Sequence, residues 1–241
     1  MHSNIKASLD RADELLKELL AEYNKSLHNK DVSARATQLT HEVCERLRSV
    51  LDRLARHYLE KKVSPELLED DRKAATVYFP IAEDQNSFDS ILGRWRWKTV
   101  REKHQDIYDF LLAHQPFVSK SKNWLRILNE LAVQGKHIDL VPQTKTEERR
   151  ITVERGGVKA SWNPAAVRFG GGPGVSISIA EAPIDPRTQR IVPTPGVTER
   201  LETWVNFSIQ GYGVNAAGFC TEACREVRRI ATEMSDKFEL S

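Results

Sequence analysis

The feature that most constrains this chain is a change of hydrophobic period near Pro142. Before it, apolar residues recur at three- and four-residue steps, as on one face of a helix. After it they alternate, as on one face of a strand. A stretch with one period cannot bury a clean face in the other geometry. The chain is therefore expected to be α+β, an antiparallel helical bundle followed by a small antiparallel β domain. At 241 residues it has room for two domains. The break places them at 1–142 and 143–241.

In the first half, Ile5, Leu9, Ala12, Leu15, Leu16, Leu19, Leu20, Tyr23 and Leu27 form one stripe on a helix of roughly six turns. Asn29-Lys30-Asp31 interrupts it, and Ser33 is placed to cap the next helix. That helix carries Leu39, Val43, Leu47, Val50, Leu51, Leu54 and Tyr58. Ser64-Pro65 predicts a short helix through about Arg72, with proline in its first turn. Helical spacing returns at Phe88–Trp95, at Ile107–Leu111 and at Trp124–Ala132, where Gly135 fits a C-terminal glycine. Each helix has one apolar face and short connections, so bundle packing follows.

In the second half, Ile151 and Val153 face Val158, Ala160 and Trp162 across Gly156-Gly157, which predicts a hairpin. Val175, Ile177 and Ile179 make a second alternating run, and Leu201, Thr203, Val205, Phe207 and Ile209 a third. Pro183, Pro186, Pro193 and Pro195 mark a long loop between them, with one short strand at Arg190–Val192. The chain closes on a helix carrying Phe219, Ala223, Val227, Ile230, Met234 and Phe238, expected to cover one face of the sheet.

Composition excludes several classes. Net charge is +2 and the charged fraction 29%, so neither half is a basic arm or an acidic tail. No stretch has the run of about 18 apolar residues that a membrane span needs, and the first residues are charged and amphipathic, without the apolar core of a signal peptide. Cys44, Cys220 and Cys224 are too few for a disulfide framework. The expectation is a cytoplasmic protein without cofactor or metal. A zinc site beside Cys220 and Cys224 lacks further ligands at suitable spacing, so these read as buried thiols. Gly170-Gly171-Gly172-Pro173-Gly174 is followed by a strand rather than Lys-Ser/Thr and a helix, which excludes a phosphate loop.

Four ordered patches stand out: Leu47-Arg48-Ser49 with Leu51-Asp52-Arg53-Leu54, then Phe79-Pro80-Ile81, then Gln115-Pro116-Phe117, then Leu125 to His137. Over residues 40–140 they resemble a family of uncharacterised bacterial proteins with a helical N-terminal region. Those proteins carry a Leu-Arg-Ser-Ala-Leu-Asp-His run, Phe-Pro-Ile, Gln-Pro-Tyr or Gln-Pro-Phe, and a Leu-rich helix ending in Asn, two residues, then Lys-His. Here Val50, Arg53 and Val133 replace the family's Ala, His and Asn. The resemblance implies an architecture and names no activity.

More distantly, Arg35 and His41 are similar to the Arg-x4–6-His mark of HEPN bundles, some of which are metal-independent ribonucleases. That resemblance implies His41 as acid or base beside a phosphate-steadying Arg35. The residues read more simply as a surface arginine and an unrelated helical histidine. Arg94, Trp95, Arg96, Trp97, Lys98 and Arg101 concentrate cations and indoles, a pattern that can grip unpaired nucleic acid. Its plainer reading is a core tryptophan among solvated charges. Arg48 and Asp52 can pair at helical spacing and join Lys136 and His137 in a polar network, again chiefly a fold-specifying one. With no coherent catalytic constellation, the leading expectation is a non-catalytic module that self-associates or binds a protein partner. An RNA-binding or HEPN-like ribonuclease role is the alternative.

Overall fold

A computed structural model describes residues 1–26, 32–95, 103–137, 140–170 and 177–240, the side chains at 66, 134–137, 148 and 204 excepted. The chain is α+β. It divides into a first unit, Met1–Thr144 with Phe207–Ser241, and a second, Lys145–Asn206.

In the first unit, α1 (Ser3–Ser26) and α2 (Ala34–Tyr58) pack along their length. Tyr23 meets Thr40 and Arg35 meets Glu18, while Ser8 meets Arg53. Late residues of one helix thus touch early residues of the other, so the two run antiparallel. Ser33 caps α2 by accepting from the Ala36 N–H at 3.0 Å, as its position predicts. Ile5, Leu9, Ala12, Leu19 and Tyr23 face Leu39, Val43, Leu47, Leu51 and Leu54, all buried. Each such aliphatic side chain contributes about 1.5–3 kcal/mol on burial.

Beyond α2 the chain makes a π turn (Leu59–Val63) and a 3-10 turn (Ser64–Glu66) before α3 (Glu69–Ala74). The single short helix expected from Ser64 is therefore two pieces, parted by Leu67 and Leu68 in extended conformation. The helices α4 (Gln85–Gly93), α5 (Gln105–Ala113) and α6 (Asn123–His137) match the predicted segments. Helix α6 runs two residues past Gly135, so that glycine does not end it.

The final helix, α7 (Ala216–Lys237), corrects the sequence reading. It packs on α1, α2 and α6 within the first unit rather than closing the β domain. Phe238, just beyond its end, sets its ring 5.2 Å from Tyr58 and 5.6 Å from Phe110, and Arg228 reaches Asp13 at 2.6 Å. Its amphipathic stripe is read correctly; only the partner differs.

The second unit supplies its own cover for its sheet. Strands β1 (Gln143–Arg155) and β2 (Val158–Trp162) form the predicted hairpin, Ile151 opposite Trp162 and Arg155 opposite Val158. Gly156 and Gly157 both take positive φ, +56° and +84°, as a tight right-twisted turn requires. Strand β3 (Ser178–Ile179) is the end of the second alternating run and β5 (Arg190–Ile191) the short strand expected in the proline-bearing stretch, while β4 (Ala182–Asp185), expected to be loop, pairs with both in a three-stranded sheet. Ala182, Ile184 and Ile191 from it pack against Ile151, Val153 and Trp162, which is why no helix is needed there.

Strand β6 (Thr198–Ile209) lies beside β1, and its end pairs with β7 (Val214–Asn215). Phe207 and Ile209 are buried, but Leu201 is 46% exposed: the alternation runs further than the core does. Gly171 to Ser176, including Val175 of the predicted strand, lie outside the described residues.

Candidate functional site

Three of the four sequence patches converge on one irregular segment, Tyr78 to Ala82, which has no helix or strand of its own. From α2, Arg48 donates to the Phe79 carbonyl at 3.1 Å, and Asp52 accepts the Phe79 N–H at 2.9 Å. Arg48 Nη1 stands 2.8 Å from Asp52 Oδ1 without a hydrogen bond's alignment, so the pair is Coulombic at that nitrogen. Burial pulls the Arg48 guanidinium below its ordinary range and Asp52 pushes it back.

From the other side, Gln115 gives its amide N–H groups to the Pro80 and Leu111 carbonyls, each at 2.9 Å. It takes the Ala82 N–H at 3.0 Å. Trp95 donates its indole N–H to the Tyr78 carbonyl at 3.2 Å. Five backbone groups of the segment are thus satisfied by side chains, in place of a ladder. Arg48 and Asp52 form the expected polar network, but with this backbone; the side chains of Lys136 and His137 lie outside the described residues.

His41 is 2% exposed. Its Nδ1 stands 3.0 Å from the Leu131 carbonyl and its Nε2 accepts the Val141 N–H at 3.0 Å. That pattern fixes a neutral ring protonated at Nδ1, and burial holds its pKa below the ordinary value. Both nitrogens are committed to the fold, so neither is available to a substrate proton. Arg35 sits at the surface, 44% exposed, with Glu18 at 3.2 Å and Glu42 at 3.1 Å. The two do not form an acid–base site.

In the basic-aromatic patch, Trp95 is fully buried and takes the core reading, while Arg94 is exposed. Arg96, Trp97, Lys98 and Arg101 lie outside the described residues. All three cysteines are buried free thiols. Burial pushes the Cys224 thiol up to about 12, and Cys220 is raised beside Cys44, so neither is a ready nucleophile. Among the described residues, no group of three or more His, Cys, Asp or Glu is placed to hold a metal ion, and no helix is long and apolar enough to cross a membrane.

Among the described residues, two surface features stand apart from these networks. One is α3, which buries none of its residues, with Leu68 and Tyr78 on its flanks 77% and 56% exposed. The other is a cleft of about 500 Å³ at the start of α1 and the end of α2, lined by His2, Asn4, Ile5, Arg53, Arg56, His57 and Glu60. The sequence reading did not single out this cleft. A signal existed: positions 53, 56, 57 and 60 follow helical spacing on one polar face from the end of α2 into the π turn. Nothing local tied that face to His2. No family model, curated protein or solved structure matches this chain.

Proposed function

We propose that this chain is a non-catalytic binding protein that self-associates through its helical unit. The observation that carries the reading is α3 with its flanks. A helix of 6 residues has too few internal hydrogen bonds to be stable alone, and this one buries no side chain to compensate. The two most exposed large apolar side chains described in the helical unit, Leu68 and Tyr78, bracket it. Large exposed apolar groups flanking an unpacked helix are what a contacting surface would cover. His41, the candidate acid or base, gives both ring nitrogens to the fold's own backbone.

Light scattering over a wide concentration range tests the reading. The expected mass rises above that of one chain, and Leu68→Asp with Tyr78→Ser returns it to a monomer. A wild-type monomer at every concentration counts against self-association. A gel with labelled single-stranded RNA and chelator addresses the alternative. Cleavage, or a salt-sensitive shift lost in Arg94→Ala, would bring the RNA-binding or HEPN-like ribonuclease reading forward.

A further inference from the structure

We propose that the cleft between the start of α1 and the end of α2 binds the phosphoryl group of a small phosphomonoester, held by Arg53, Arg56, His2 and His57. This rests on the binding-protein reading and supplies its ligand class. At about 500 Å³ the cleft falls in the range of small-molecule sites. Of its seven lining residues, four carry or can take positive charge and one is a carboxylate. That carboxylate, Glu60, already accepts from Arg56 Nε at 2.9 Å. The pairing orients Arg56 by one nitrogen and leaves the two terminal nitrogens of its fork. Arg53 is likewise fixed by one nitrogen, which donates to Ser8 Oγ at 2.6 Å.

His57 Nε2 is buried without a hydrogen-bond partner. An unmatched buried nitrogen of this kind is costly, and a turn of the ring toward the cleft that His57 lines would present it to a bound oxyanion. The His2 and His57 rings stand 4.9 Å apart, close enough to act on one ligand. Burial first, then His2, Lys61 and the terminal amine, hold His57 below the ordinary imidazole range, with Glu60 opposing. A dianion placed among these groups reverses that repulsion and favours the His57 ring as a cation. A phosphoryl group offers three strong acceptor oxygens to this donor set, where a carboxylate offers two.

The test is a titration of the full chain with glycerol 3-phosphate, following the His2 and His57 ring protons by NMR and assaying free phosphate in the same samples. Saturable shifts of both rings are expected, with affinity about tenfold or more weaker in Arg53→Gln and in His57→Gln. Affinity should also rise as pH falls from about 8 to about 6.5, because the bound His57 ring takes up a proton. Far-UV circular dichroism of each variant separates loss of binding from loss of fold, and exposed Arg56→Gln serves if Arg53→Gln unfolds.

No shift of either ring at millimolar ester, or unchanged affinity in folded variants, overturns the site. Retention on phosphatidate-containing vesicles without binding of the soluble ester overturns the small-molecule assignment. Binding with the ester intact supports the site and the non-catalytic reading together. Release of phosphate, lost in the same variants, keeps the site and overturns the non-catalytic reading.

Discussion

The Tyr78–Ala82 segment and the β1–β2 hairpin satisfy their backbones in opposite ways. In the hairpin each strand answers the other, five residue pairs deep from Ile151–Trp162 to Arg155–Val158. In the segment the partners are side chains from distant positions: Asp52 and Arg48 on α2, Gln115 after α5, and Trp95 after α4. The hairpin is therefore specified by residues near one another in sequence. The segment is specified by a few polar side chains elsewhere, each carrying one or two of its backbone groups. Robustness should differ accordingly, with the segment vulnerable at single anchors and the hairpin indifferent to its outward side chains.

The largest effect is expected from Asp52→Ala. It removes the acceptor of the Phe79 N–H and strands the Arg48 guanidinium, whose side chain is only 13% exposed, without its anion. Breaking a buried ion pair at one partner costs about 3–5 kcal/mol. Urea unfolding should show a loss of that order, and a loss below about 1 kcal/mol would mean that the segment holds itself. The contrast with the hairpin would then collapse.

The same contrast explains what was legible in the sequence. The hairpin announces itself by alternation and Gly156-Gly157, and the long helices by stripes such as Leu39–Leu54. Each is a local pattern with a fixed period. The segment has no period, so pattern reading passes over it. Its anchors appeared as separate patches, Phe79-Pro80-Ile81 and Gln115 with no partner assigned and Arg48/Asp52 paired only with each other and with Lys136 and His137, and the meaning of each lies in the others. Helix α7 shows a related limit: the stripe from Phe219 to Phe238 says that one face is buried, not against what. Strand β4 was missed for another reason: its 4 residues are too few to display alternation, and Pro183 within it resembles loop punctuation. The cleft was hidden because His2 and His57 are separated by the whole of α1 and α2.

A milder perturbation is acid, and it should also divide the two regions. His41 and His114 are buried in the helical unit and bonded to backbone carbonyls, Leu131 and Phe110 respectively. Burial holds both rings below their ordinary pKa. Below about pH 6.5 the unfolded chain binds protons that the folded rings refuse. Stability therefore falls as pH drops through that value, until the folded rings protonate too. The chain has no histidine after His137. Amide exchange should accordingly quicken with acid in α2 and α6 before it does in β1 and β2. Equal loss of protection in both would show that these histidines do not set the acid response.

The smallest effect is expected at the outward face of the hairpin. Thr152 and Ser161 stand opposite each other, their hydroxyls 2.9 Å apart and exposed. An exposed hydroxyl pair exchanges one hydrogen bond for another with water, so its net contribution is slight. Thr152→Val keeps the β-branched shape that a pleated surface favours while removing the hydroxyl. The two terms oppose, and thermal unfolding should move by less than about 0.5 kcal/mol in either direction. A loss beyond about 1 kcal/mol would mean that the hairpin, too, depends on individual side-chain hydrogen bonds. Its ladder would then be no more self-sufficient than the anchored segment, and the two regions would differ in geometry alone.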